Sequence, residues 1–226
     1  MSVTAQLEDV RAQIARACEA SGRNASDVKL VAVSKTKPTE AIREAYAAGQ
    51  RAFGESYAQE LAGKREALAD LSDIEWHFIG HLQTNKAKVV ARAADVVHSV
   101  DSVVLARELG KRTLSAERGA LLPVLIEVNV AAEPQKHGTA PSELADVMAA
   151  VRAEPALLLR GLMTMPPFGD PSASERTFST LASLRLLHGG AEALPELSMG
   201  MSGDLAIAIA CGATMVRIGT AIFGER

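Results

Sequence analysis

Along the chain, short apolar runs rich in β-branched residues alternate with longer stretches in which apolar positions recur every three to four residues. The first pattern predicts buried strands, and the second predicts helices that pack on them through one face. Leu7, Val10, Ile14 and Ala17 make such a face on a first helix, opened by Ser2 or Thr4 and ended by Ser21-Gly22-Arg23-Asn24. Strands are then predicted over 28–33, 51–54, 75–79, 95–100, 122–130, 157–163, 197–199 and 215–218, with a helix between each consecutive pair. Strands that alternate with helices argue a parallel sheet, and eight such units argue a closed (β/α)8 TIM-type barrel with an additional N-terminal helix. An open doubly wound sheet is the rival architecture. Only A-I-F-G-E-R follows the last strand, too little for a final helix, so the first helix is expected to fill that place.

Composition narrows the class. Length 226, no proline-rich linker and no second block of different character fit a single barrel domain over 1–226. Hydrophobic residues make up 48 % and aromatic ones 4 %, so the core must be aliphatic. A net charge of -3 gives no reason to expect a nucleic-acid or anionic-membrane partner. Cys18 and Cys211 lie far apart and form neither a ligand cluster nor a disulfide framework. The charged N-terminus lacks the apolar centre of a signal peptide, and no apolar run has transmembrane length, so a cytoplasmic location is expected.

Candidate chemistry gathers at strand ends. In A-V-S-K-T-K-P, Val31, Val33 and Lys35 share parity, so Lys35 is expected at the mouth of the barrel above an apolar floor. A partly desolvated lysine gives up its proton more readily, and the neutral amine can attack an aldehyde. A lysine snorkelling into water at a strand end is the plainer alternative. Phosphates favour the loops after strands seven and eight of such barrels. The seventh loop, S-M-G-M-S-G-D, offers Ser202 and close backbone approach, or merely a helix cap from Ser202 or Asp204. The eighth, I-G-T, offers Gly219 and Thr220, with Arg217 pointing inward beneath. A buried arginine needs an acceptor, which a ligand or an internal network with Glu127 and Asn129 could supply. His77 and His81 fall on a strand and a turn, so no metal site is expected of that pair. Gln83, Asn85 and Lys86 face either a ligand or solvent, and the loop 133–138 is long enough to overhang the mouth. A lysine, a phosphate cup and an inward arginine are together what pyridoxal 5′-phosphate requires.

The motifs A-V-S-K-T-K-P (32–38), F-G-E-S-Y (53–57), W-H-F-I-G-H-L-Q-T-N-K (76–86), R-G-L-M-T-M (160–165), L-S-M-G-M-S-G-D (197–204) and M-V-R-I-G-T-A-I-F-G (215–224) resemble the YggS/PROSC family of pyridoxal phosphate homeostasis proteins over nearly the whole chain. The resemblance implies a barrel like the N-terminal domain of alanine racemase, with pyridoxal 5′-phosphate held as an internal aldimine on Lys35. It implies phosphate contacts at Ser202, Gly219 and Thr220, Arg217 near the pyridine nitrogen, and Met201 and Met165 lining the pocket. Ser56 stands where the family usually has asparagine, which puts in question any contact an asparagine makes there.

The resemblance implies a non-catalytic carrier of the cofactor, with apo enzymes as candidate recipients, and the exposed barrel mouth allows either a monomer or a weak dimer. An arginine that keeps its proton leaves the pyridine nitrogen unprotonated, which weakens the ring as an electron sink. Alanine racemase takes its second acid/base from a separate C-terminal domain, whereas the tyrosines here, Tyr46 and Tyr57, both come early. A monomeric amino-acid racemase and a Schiff-base aldolase that binds a sugar phosphate are the alternatives.

Overall fold

A computed structural model describes every residue except Met1, Ala132, Pro134, Phe168 and Arg226. Eight parallel strands form a closed barrel: β1 (Lys29–Val33), β2 (Ala52–Glu55), β3 (Glu75–Phe78), β4 (Val96–Val100), β5 (Leu122–Glu127), β6 (Leu157–Met163), β7 (Glu196–Ser198) and β8 (Met215–Ile218). Pairing of β1 with β8 through Lys29↔Met215 to Ala32↔Ile218 closes it, which excludes the open sheet. Around it lie α1 (Val3–Ala20), α2 (Thr39–Ala47), α3 (Ala58–Ala67), α4 (Ala87–Ala93), α5 (Val103–Leu114), α6 (Leu144–Ala153), α7 (Pro171–Leu187), α8 (Gly190–Ala193), α9 (Leu205–Ala210) and α10 (Thr220–Phe223).

Strand parity sorts the two sides of the wall. Leu30, Ala32, Phe53, Trp76, Phe78, Val97, Val124, Ile126, Leu162, Leu197, Val216 and Ile218 face outward and pack with the helices into one core. Val96, Leu125 and Met163 form a separate apolar cluster inside the barrel. The interior also holds polar side chains, with His77, His98, Ser198, Glu127 and Arg217 all buried beside apolar Val31, Ala52 and Met215.

Three expectations need correction. A final helix does form, but it is the single turn α10, and α1 packs against both α9 and α10. β5 stops at Glu127, and Val128 instead bridges Thr139 across the following loop. Lys35 lies in the turn after β1, because the strand ends at Val33.

Candidate functional site

The turn that carries Lys35 is tied down on both sides. Ser34 Oγ donates to Glu55 Oε1 at 2.6 Å, and Lys64 Nζ donates to the Ser34 carbonyl at 2.7 Å. Lys64 also pairs with Glu55 at 2.8 Å and with Glu60 at 2.7 Å. Glu60 in turn accepts from the Thr36 amide at 2.6 Å. Thr36 has φ 64°, a left-handed conformation that a β-branched residue adopts only when its surroundings impose it. The two neighbours of Lys35 are therefore held by one charged network rooted on α3, while Lys35 itself is half-buried. Burial pushes the Glu55 carboxyl up, against the pull of Lys64 and Ser34.

Loops seven and eight reach the same end of the barrel. Gly219 packs on Val33: a Cβ there would lie 3.2 Å from the Val33 carbonyl oxygen. Ile218 pairs with Ala32 in the ladder, so the end of β8 adjoins the Lys35 turn directly. Gly219 and Thr220 begin α10, whose first amides have no partner within the helix. In loop seven, Gly200 has φ 97°, and a Cβ would meet that of Ala208 at 2.5 Å. Asp204 occupies the cap position of α9 but turns back, accepting from the Met201 amide at 2.6 Å. Asp204 thus braces the loop rather than capping the helix, and Ser202 is left exposed at the tip with Met201 half-buried beside it. Met165 is exposed after β6.

Arg217 points into the interior and is 4 % exposed. It donates to Ser198 Oγ at 2.6 Å and to the Thr164 carbonyl at 3.0 Å. Burial lowers its pKa to about 10, with Glu127 and Asp204 acting against the shift, so it remains a cation at neutral pH. Burial together with Asp101 raises Glu127 to about 7. The partners of Arg217 are thus a hydroxyl and a carbonyl, while Asn129 holds the following loop by donating to the Glu133 and Lys136 carbonyls. Ser198 shares strand parity with Glu196, and that inward parity was the available signal for it.

Beyond Ser198 a chain of contacts runs down the barrel. His98 Nδ1 is 2.9 Å from Ser198 Oγ, and His98 Nε2 is 2.8 Å from His77 Nδ1. His77 Nε2 stands 3.2 Å from Glu75 Oε2 without good hydrogen-bond alignment, and Glu75 pairs with Lys29 at 2.7 Å. Burial holds His98 well below the ordinary histidine range, with His77 and Arg217 adding to the shift. His77 and Lys29 draw Glu75 down to about 2, against the effect of burial. A cleft lined by Lys29, Gln50, Arg51 and Glu75 opens at that N-terminal end, opposite Lys35.

The remaining candidates separate. His77 is sealed in the interior, while His81 stands on the rim of the mouth with Asp101 and His137. Gln83 and Asn85 are exposed near the start of α4. Gly80 lies so close to Ser56 that a Cβ would meet the Ser56 carbonyl oxygen at 2.2 Å, so the backbone there is fixed whichever side chain Ser56 carries. Tyr46 hydrogen-bonds Asp73 and stacks under Arg51 at the N-terminal end, away from Lys35. Tyr57 is half exposed at the end of β2. Part of the 133–138 loop, Pro134, falls outside the described residues.

Comparison with known proteins shows the family and the fold. Residues 6–226 match the family model described as alanine racemase, N-terminal domain. The chain is 47 % identical to the pyridoxal phosphate homeostasis protein of Pseudomonas aeruginosa, over 100 % of this chain and 96 % of that protein. It is 44 % identical to the protein of the same name from Aquifex aeolicus, over 100 % and 99 %. The PipY structure of Synechococcus elongatus with pyridoxal phosphate bound superposes with TM-score 0.82 at 36 % identity, covering 99 % of this chain and all of that one. Alanine racemase from Enterococcus faecalis shares the fold at TM-score 0.68 and 16 % identity, with this chain spanning 59 % of its length. No helix among the described residues is long and apolar enough to cross a membrane. The chain belongs to the pyridoxal phosphate homeostasis protein family, built on the barrel of the alanine racemase N-terminal domain.

Proposed function

We propose that the chain is a single barrel domain that binds pyridoxal 5′-phosphate and hands it on, with Lys35 as its covalent anchor. When bound, the cofactor supplies an aldehyde, a phosphate and a pyridine nitrogen. The residues at the mouth fit those three demands: an amine at Lys35, hydroxyls and helix-start amides at Ser202, Gly219 and Thr220, and a guanidinium at Arg217. The observation that carries the reading is the seating of Gly219 on Val33, which draws the eighth loop against the Lys35 turn. Relatives at 47 % and 44 % identity carry the homeostasis name, and a neighbour at 36 % holds the cofactor in its structure.

Each group has a separable task. The Glu55–Lys64–Glu60 network fixes the backbone on either side of Lys35 and so aims its amine. Arg217 spends two of its N–H groups on Ser198 and Thr164, and others of its five donors remain for a ring nitrogen. At a pKa of about 10 it donates a hydrogen bond without giving up its proton near neutrality. That keeps the pyridine nitrogen unprotonated, which disfavours carbanion chemistry and suits a carrier over a racemase. Tyr46, turned to the opposite end, is not placed to serve as a second acid or base. Apo enzymes that need the cofactor are the recipients of this reading, and a cytoplasmic monomer or weak dimer is its setting.

The test is spectroscopic. The wild type with added pyridoxal 5′-phosphate should show a visible absorption band, and borohydride should trap the cofactor on Lys35 in the peptide map. Lys35→Ala should lack both signals, and the loaded wild type should reactivate an apo enzyme faster than free cofactor at equal concentration. A wild type that cannot be loaded would overturn the reading. Racemisation of an amino acid dependent on Lys35 would replace the carrier with an enzyme.

A further inference from the structure

The Lys35 site makes no use of the two histidines on the rim. His81 follows β3, Asp101 follows β4 and His137 lies in the loop after β5, so three adjacent strand ends each contribute one side chain. One imidazole nitrogen from each histidine and a carboxylate oxygen of Asp101 all lie within 4.8 Å of one another. The two rings stack at 3.5 Å between centroids, only 8° from parallel, and His81 Nδ1 is 3.6 Å from Asp101 Oδ2.

This juxtaposition is built by the backbone. Asn129 Nδ2 donates to the Glu133 and Lys136 carbonyls, and the Glu133 amide donates to Asn129 Oδ1 at 3.2 Å, folding the β5 loop back on its own stem. Gly138 has φ 111°, and a Cβ there would meet the Asn129 amide nitrogen at 2.6 Å. The next residue, Thr139, donates its amide to the Glu127 carbonyl at 2.8 Å. That clamp sets His137 over His81. Asp101 is fixed from the other side, as the residue before Ser102, which caps α5 through its hydroxyl.

The two rings lie close enough for one nitrogen of each to reach a shared ion. Partial burial and His137 both lower the pKa of His81, with Asp101 opposing. Two imidazoles and one carboxylate are donors of intermediate hardness, suited to zinc, nickel, cobalt or copper rather than to magnesium or calcium, which prefer all-oxygen shells. We propose that His81, Asp101 and His137 form a binding site for a divalent transition metal such as Zn²⁺, with water completing the shell. Imidazole lone pairs lie in the ring planes, so the stacked rings must swing apart to converge on one ion. Both are exposed, which leaves them room to do so.

The test is calorimetric titration of Zn²⁺ into the full chain and into His81→Ala, His137→Ala and Asp101→Asn. One ion per wild-type chain is expected, with affinity weakened roughly tenfold or more in each histidine variant. Cys18 and Cys211 are unchanged in all three, so thiol binding would appear as equal affinity throughout and would overturn the site. Absence of binding to the wild type would overturn it as well. Co²⁺ added to the wild type gives a second readout independent of whether a variant folds: a nitrogen/oxygen-type visible spectrum supports the site, and a thiolate charge-transfer band refutes it. Neither experiment depends on cofactor binding, so failure here and failure of the Lys35 reading are distinguishable.

Discussion

Glu127 sets a pH dependence that a single residue can test. Its native pKa is about 7, raised from 4.5 first by burial and then by Asp101, despite Arg217. Between those two values the native state holds a proton that the unfolded chain has lost. Stability therefore falls as pH rises from about 4.5 through about 7, by an amount on the order of 3 kcal/mol at most. Urea unfolding at pH 5 and pH 8 should show this loss in the wild type and a much flatter difference in Glu127→Gln, whose side chain cannot ionise. At this scale, parity made much of the site legible. The inward directions of Arg217 and Glu127 follow from alternation along β8 and β5. The partners did not follow: Ser198 and the Thr164 carbonyl reach Arg217 only because separate strands curve around one axis. Nor did the sequence reveal that His81 would meet His137, since the folding of the β5 loop onto Asn129 decides it.

Among the elements, α3 matters most to the site, through Lys64. Its side chain is 8 % exposed and that of Glu55 is 0 %, so this ion pair is shielded from water. Removing one partner strands a buried charge, which typically costs about 3–5 kcal/mol. Lys64→Met should lower unfolding free energy by that order in urea denaturation. The double variant Glu55→Gln/Lys64→Met should recover a large part of the loss, because the fully buried carboxylate is gone and Glu60, partly exposed, still accepts from the Thr36 amide. Borohydride trapping on Lys35 should fall in the single variant, since the Ser34 carbonyl keeps the Lys37 amide but loses the tie to α3. The sequence placed Glu55 in a strand-to-helix connection, and the network escaped it for a definite reason. Glu55 has the parity opposite to Gly54 and so points out of the barrel, where only the docking of α3 brings Lys64 to it. The same network explains why β1 ends before Lys35: the Ser34 amide still donates to Gly54, but the Ser34 carbonyl and the Thr36 amide turn to α3.

Over the whole molecule, the alternation of two periodicities was enough to read eight strands and a barrel, because a parallel sheet leaves each strand buried on both faces. The cover of the seam after β8 was legible as well, because the short stretch A-I-F-G-E-R assigns that place to the first helix, whereas the single turn α10 was not. Among the described residues one turn of helix, α10, follows β8, and α1 packs beside it with Leu7, Val10 and Ile14, all buried. Leu7→Ala should therefore behave as a core mutation despite its place near the N-terminus, costing about 2–5 kcal/mol. Thermal unfolding should show a drop of roughly 5–15 °C at this chain length. The line of contacts through the barrel also has an orientation. Arg217 can only give protons and an ionised Glu75 can only take them. One consistent direction runs from the mouth to the floor: Ser198 gives to His98 Nδ1, His98 Nε2 gives to His77 Nδ1, and His77 Nε2 is left facing Glu75 without a hydrogen bond. The neutral links then turn their lone pairs towards Arg217 and their N–H and O–H groups towards the floor, so what the line offers an anion near the mouth is the guanidinium charge itself, pinned in place by the acceptors that face it.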